Sequence, residues 1–177
     1  MLTKRNGIII LFLMIIGLAV WQNYQLRMEQ KTAKEHVTKT AFTTVQFLKS
    51  AAATFENINK ENQWDDLKTR NSQQIWLSYT FQSLSDANNS WQDYANLIPN
   101  YSRQNINDVF FSFSNWFEKA MDILGKEGVV TAEEKVILLE LSEVVSKVDL
   151  PQKVNDFNGI SVVFERLAME LKSVDIS

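Results

Sequence analysis

Residues 7 to 21 read GIIILFLMIIGLAVW, with Lys4 and Arg5 ahead of them and no further charge before Arg27. Asn6 to Leu26 is therefore a charge-free run of 21 residues. As a helix it rises about 32 Å at 1.5 Å per residue, a match to a hydrocarbon core of about 30 Å. Ten residues between Gly7 and Trp21 are Ile, Leu, Phe or Val. Each contributes about −0.3 to −0.6 kcal/mol near a bilayer centre, so insertion is favoured by roughly 3 to 6 kcal/mol before the polar flanks are counted. A cleavable signal peptide is the competing reading, because Lys4 and Arg5, a short apolar region and the small pair Gly17 and Ala19 have its layout. A retained anchor is the better reading, since the segment after Leu18 stays uncharged and runs from Tyr24 straight into a helical pattern.

The chain thus divides into a tail at 1–6, a transmembrane anchor at 7–26 and a domain at 27–177. Lys4, Arg5, Trp21, Tyr24 and Arg27 fall at the two membrane interfaces, the two aromatics in the position of a belt. Lys4 and Arg5 are nearly balanced by Arg27, Lys31 and Lys34 on the other side. Long segments translocate regardless of such charge, so the expected arrangement is a cytoplasmic tail, a single pass and an extracytoplasmic domain at a bacterial cell membrane.

About 150 residues beyond the anchor suffice for one domain that buries about 68 to 70% of its unfolded surface. Five Gly and two Pro in 177 residues is a helical composition, and the absence of Cys excludes disulfides and thiolate chemistry. Without Lys4 and Arg5 the chain carries 16 basic and 21 acidic residues, unevenly placed. Arg27, Lys31, Lys34, Lys39 and Lys49 outnumber Glu29 and Glu35, whereas Asp86 to Ser177 holds eight basic and fifteen acidic residues. The base is positive and the head negative. A basic membrane-proximal helix can meet anionic headgroups or envelope polymers. Nucleic acid is excluded as a partner, because no basic footprint covers the domain.

Leu26, Ala33, Val37, Ala41, Val45, Leu48, Ala52, Phe55 and Ile58 recur at helical spacings, which predicts a first domain helix continuous with the span and closed by Asn57, Asn59 and Asn62. Its small Ala33, Ala41 and Ala52 would admit a close neighbour. A second helix is expected from about Gln63 to Ile98, ended by Pro99. Its later half carries Leu77, Phe81, Leu84, Asn88, Trp91, Ala95 and Ile98 at alternating spacings of four and three, a bundle seam with one polar member. Asn88 either sets register or, with Trp91, holds a ligand. Trp76 and Tyr94 lie off the seam and are candidate partner contacts. The third helix is expected from Ser102, as N-cap, to Leu124 before Gly125. Its apolar face leaves Phe111 outside, another candidate partner contact.

Thr131 and Glu134 form a T-x-x-E capping box that opens a fourth helix with Ile137, Leu141, Val144 and Val148 buried. Glu133 and Glu134 there offset the positive helix end instead of forming a catalytic pair. Asp149, Leu150 and Pro151 break the chain, and the last helix is expected from about Ile160, after Asn158 and Gly159. The fold class is all-α: one N-terminal transmembrane helix followed by an antiparallel bundle of about four to five helices.

His36 is the single histidine, so no two-histidine metal site can be assembled, and it sits among charged residues near the membrane, where an exposed helix residue is expected in place of a triad member. No phosphate-binding glycine loop, dinucleotide fingerprint or calcium loop occurs, and no cofactor is expected. The acids are spread along helix faces, so a hydrolase built on two carboxylates would need a cleft that the sequence does not announce. Lys4-Arg5, one span, the exit from Trp21 to Tyr24, a long helix, Phe113-Ser114-Asn115-Trp116 and then Thr131-Ala132-Glu133-Glu134-Lys135 opening another helix form a recognisable layout. It resembles the membrane-proximal helical part of the Bacillus-type spore germination protein that partners a cortex-lytic enzyme. The resemblance implies a Gram-positive, membrane-anchored, non-enzymatic protein that holds or stabilises a partner. The expected function is scaffolding or regulation of an envelope protein, with a homo-oligomer as another form of partner. The alternative is a ligand-sensing helical bundle working with a separate signalling subunit.

Overall fold

A computed structural model describes residues 4–148, 150 and 156–173, with the side chains of residues 4–8 and of Ser173 outside the description. Among the described residues the chain is all-helical: α1 (Lys4–Lys60), α2 (Leu67–Asp93), α3 (Asn100–Gly125), α4 (Ala132–Lys147) and α5 (Phe157–Ser173). Residues 1–3 of the expected tail and the break at Asp149 and Pro151 lie outside the described residues, as do the side chains of Lys4 and Arg5.

The apolar stretch and the first domain helix are one uninterrupted helix of 57 residues, about 85 Å long. Among the described residues it is the one helix long and apolar enough to cross a membrane. Ile9 to Val20 point away from all other protein. Higher up, Ala33, Val37, Ala41, Val45, Leu48, Ala52, Phe55 and Ile58 are buried as their spacing predicts. Leu26 departs from the stripe at 47% exposed. It lies seven residues before Ala33, roughly 10 Å below the first core residue, where no other helix reaches it. The small residues of this stripe are covered by the chain's own helices, so the stripe is core and not a free surface.

Several element ends differ from expectation for local reasons. Asn62 takes φ 52°, a left-handed conformation that Asn tolerates better than most residues. The chain turns there and drives Trp64 into the core, 1% exposed. Its ring stacks 6.2 Å from Phe55 and its indole N–H donates to Asn59 Oδ1 at 3.1 Å. α2 therefore starts at Leu67, not at Gln63, capped by Asp66, which accepts from the Lys68 N–H at 3.1 Å and the Thr69 hydroxyl at 2.6 Å. It ends at Asp93, and a turn over 94–98 carries Ile98 into the core. Ser102 is not an N-cap. α3 begins at Asn100 behind Pro99, whose fixed φ suits a helix start, and Ser102 lies buried inside the first turn. Gly125 ends α3 where a Cβ would come within 3.0 Å of Gln74 Nε2.

The capping box forms as read: Thr131 Oγ1 accepts from the Glu134 N–H at 3.3 Å, and Glu134 Oε2 accepts from the Thr131 N–H at 2.7 Å. In α4, Leu138 joins Leu141, Val144 and Val148 as buried, while Ile137 is half-buried and Val136 is 63% exposed. α5 starts at Phe157 and not at Ile160, because Asp156 Oδ1 accepts from the Gly159 N–H at 2.7 Å and caps the first turn.

Cross-helix contacts set the directions. Thr44 donates to the Ser83 carbonyl at 2.8 Å and Gln73 to the Ala51 carbonyl at 3.3 Å, so α1 and α2 are antiparallel. Gln74 reaches the Met121 carbonyl at 3.3 Å while Phe81 stacks on Phe117 at 4.6 Å, which makes α2 and α3 antiparallel. Ser142 donates to the Ala52 carbonyl at 2.8 Å and Lys49 to the Leu150 carbonyl at 2.8 Å, so α4 descends along α1. α5 then rises beside α3, with its start at Trp91 and Lys172 paired to Asp108 at 2.6 Å. At the centre Phe55 meets Trp116 edge-on at 6.0 Å, and burying each such ring stabilises the bundle by about 1.5 to 3 kcal/mol.

Candidate functional site

A groove lies low on the bundle, directly above the apolar segment. It has a volume of about 640 Å³ and runs along α1 from Arg27 to Phe42, closed on one side by Asp156 and Phe157 at the start of α5. The i, i+3/i+4 spacing of Arg27, Lys31 and Lys34 puts three cations along it, with Lys39 five residues further on, against Glu35 and Asp156. Asp156 is engaged in capping α5. Lys31 and Glu35 approach to 3.8 Å, both about two-thirds exposed, a pair that contributes little. The Lys34 ammonium sits 5.5 Å from the centre of the Phe157 ring, a cation–π arrangement that fixes its position without neutralising it. Arg27 and Lys39 form no ion pair among the described residues.

Higher on the same helix, Phe42 also borders a shallower groove of about 220 Å³ with Gln46, Phe47 and Trp76. Trp76 is 45% exposed, with Phe47 at 6.3 Å and the exposed Tyr79 at 6.2 Å. Ile75 beside it is 56% exposed, and Gln46 Nε2 is buried there without a partner. An aromatic cluster on two rigid helices thus surrounds the expected contact Trp76. Tyr79 shares the outer face of α2 at i+3, so that half was readable from spacing. Phe47 was not, because only the register of α1 on α2 brings it alongside.

The other expected contacts lie elsewhere. Phe111 is 58% exposed on α3, leaning edge-on against Phe110 at 5.6 Å. Tyr94 is half-buried in the turn after α2, 5.7 Å from the His36 ring. The fold does not gather Phe111, Trp76 and Tyr94 into one surface. Trp21 and Tyr24 are about 60% exposed at the end of the apolar segment, and Arg27 follows one further step of three.

Asn88 and Trp91 are inside the core. Trp91 packs on Phe157 at 6.0 Å and Phe164 at 5.6 Å. Asn88 Oδ1 and Trp91 Nε1 have no hydrogen-bond partner among the described residues, nor do the hydroxyls of Ser102 and Ser161.

Among the acids, Glu134 is held below the usual carboxylate range by its hydrogen bond from Lys126 and then by the Thr131 N–H. Glu133 is lowered by its own backbone N–H and the Thr131 hydroxyl. Burial raises Glu140, only partly offset by Lys119. Among the described residues no three His, Cys, Asp or Glu side chains converge as a metal site would require.

Comparison with known proteins finds no match: no family model fits the chain, and no curated protein or solved structure is similar to it.

Proposed function

We propose that the chain is a single-pass membrane protein whose helical bundle stands outside the cytoplasm and acts, without catalysis, as an interaction module that scaffolds or regulates an envelope partner. One observation carries this reading: the apolar segment and the core of the bundle share one unbroken helix, so anything bound to the bundle is held at a set height and angle above the bilayer. The partner surface is the Phe47, Trp76 and Tyr79 cluster, since exposed aromatics on rigid helices are the usual anchors of interfaces. The resemblance to the spore germination protein implies a cell-wall hydrolase as one such partner.

The test is photocrosslinking in cells from a photoreactive residue at position 76, with position 111 as a second probe. Capture of one dominant envelope protein from position 76 supports the reading. Capture of a second copy of the chain makes it a homo-oligomeric scaffold, and capture of nothing from either position rejects it.

A second reading, a ligand-sensing bundle, rests on the orphaned polar atoms of Asn88 and Trp91. Core polar groups without partners are ones that a bound molecule can satisfy. A metabolite that raises the melting temperature of wild type but not of Asn88→Leu would favour it; no response across a broad screen would reject it.

A further inference from the structure

We propose that the lower end of the α1/α5 groove holds the headgroup of an anionic phospholipid from the same bilayer, a proposal that rests on α1 crossing the membrane. The groove opens at Arg27, one residue beyond the last uncharged position of the apolar run. The polar layer on each side of a bilayer is about 5 to 8 Å deep, so Arg27 lies inside it. Lys34 stands about 12 Å above Leu26, a height from which a four-carbon stem reaches back toward that layer.

The charge of the groove is unspent. Lys34 has an aromatic ring under it where an ion pair would have a carboxylate, and that ring belongs to Phe157 at the capped start of α5. Arg27 has no acid partner among the described residues. Of the two acids, Asp156 is committed to the Gly159 N–H and Glu35 faces Lys31. A phosphodiester placed between Arg27 and Lys34 meets two cations that have no acid partner among the described residues, with Glu35 as the one lining acid not held by a backbone N–H. A guanidinium at the entrance suits phosphate in two-point geometry. Lys39 is different: it is about 20 Å above Leu26, more than two Debye lengths at physiological salt. A lipid headgroup leaves Lys39 idle, whereas a soluble polyanion lying along the groove would use it as much as Arg27.

The experiment reconstitutes the full chain in phosphatidylcholine vesicles and measures the motionally restricted fraction of spin-labelled phosphatidylglycerol against spin-labelled phosphatidylcholine. Resistance to alkaline carbonate is established first. Wild type is expected to favour the anionic label, Arg27→Gln and Lys34→Gln each to lower that preference about fivefold, and Lys39→Gln to leave it within about twofold. Glu35→Gln, which releases Lys31, is expected to raise it. A chain that carbonate strips from the vesicles overturns the spanning reading and this assignment together. A chain that stays inserted but holds both labels equally, or loses as much with Lys39→Gln as with Arg27→Gln, overturns the lipid assignment alone. Loss of the preference on adding inorganic phosphate at constant ionic strength overturns it in favour of a soluble phosphate site.

Discussion

The Arg70 guanidinium donates from Nη1 to the Lys126 carbonyl at 3.1 Å, so a cation only 1% exposed closes the far end of α3. The last carbonyls of a helix lack intrahelical donors and carry its negative end. Gln74, one turn further along α2, donates to the Met121 carbonyl in the last turns of α3. Two side chains of α2 thus meet the end of α3.

Arg70→Ala is expected to destabilise the bundle by about 2 to 4 kcal/mol, from lost packing and an unserved carbonyl. Arg70→Met keeps most of the volume and is expected to cost less than about 1.5 kcal/mol, because it also removes a buried charge whose Nε has no partner. Urea unfolding followed by circular dichroism separates the two. Equal losses would mean that the charge, and not the packing, is what the site needs.

Asn88 offers the opposite case. Its Oδ1 is buried without a partner, and an unsatisfied polar group costs about 1 to 3 kcal/mol. Asn88→Leu, close in volume, is expected to raise the stability of the bundle by about 1 kcal/mol. A drop in the urea midpoint would instead show that Asn88 sets helix register, as a polar seam residue can, and a bundle of changed oligomeric state by sedimentation would show the same.

These two positions also mark how far the sequence could be read. Asn88 interrupts a visible seam, and the long apolar stretch, the first helix, the capping box at Thr131 and the break at Pro99 all rest on signals within a few residues of one another. Arg70 and Gln73 were invisible. They lie in the polar first half of α2, and their burial follows from where α3 ends and where α1 passes. Trp64 is buried for a similar reason, since Asn62 turns the chain back onto Phe55. The start of α5 was misread because Gly159 suggested a break, while Asp156 caps across it. The groove was half legible: the cations of α1 have helical spacing, but Phe157 reaches them only through the tertiary fold.

The acids make a pH prediction with two opposite signs. Glu134 and Asp66 are held below the ordinary carboxylate range by hydrogen bonds, Glu134 chiefly by Lys126 and Asp66 chiefly by the Thr69 hydroxyl. Their contribution is present above the unfolded value and is lost as pH falls through the folded one. Glu140 is raised by burial. Its contribution belongs to the protonated form, so it is present below the unfolded value and lost as pH rises through the folded one. Glu134→Gln is therefore expected to weaken the bundle at neutral pH and flatten its acid limb, while Glu140→Gln is expected to stabilise it at neutral pH and bring no gain in acid. Urea midpoints measured across the acid range check both, and a Glu140→Gln midpoint below wild type at neutral pH would contradict the burial account.

Continuity of α1 makes the last prediction. From Leu26 to Thr32 the helix touches no other element strongly enough to bury a residue, so its straightness there rests on its own backbone hydrogen bonds. Proline removes one such bond and clashes with the preceding turn, at about 3 kcal/mol in a helix interior. At Glu29, below the first core residue, that cost falls on the connection and not on the bundle. Glu29→Pro is expected to leave the urea midpoint of the bundle nearly unchanged while broadening or shifting the distance between spin labels at positions 21 and 79, measured by pulsed electron resonance in vesicles. The wild-type distribution is expected to be single and narrow, since both labels then ride on one rigid body. A broad wild-type distribution would mean that the shared helix does not hold the bundle at a set angle, and a partner bound at Trp76 would then be tethered by length alone.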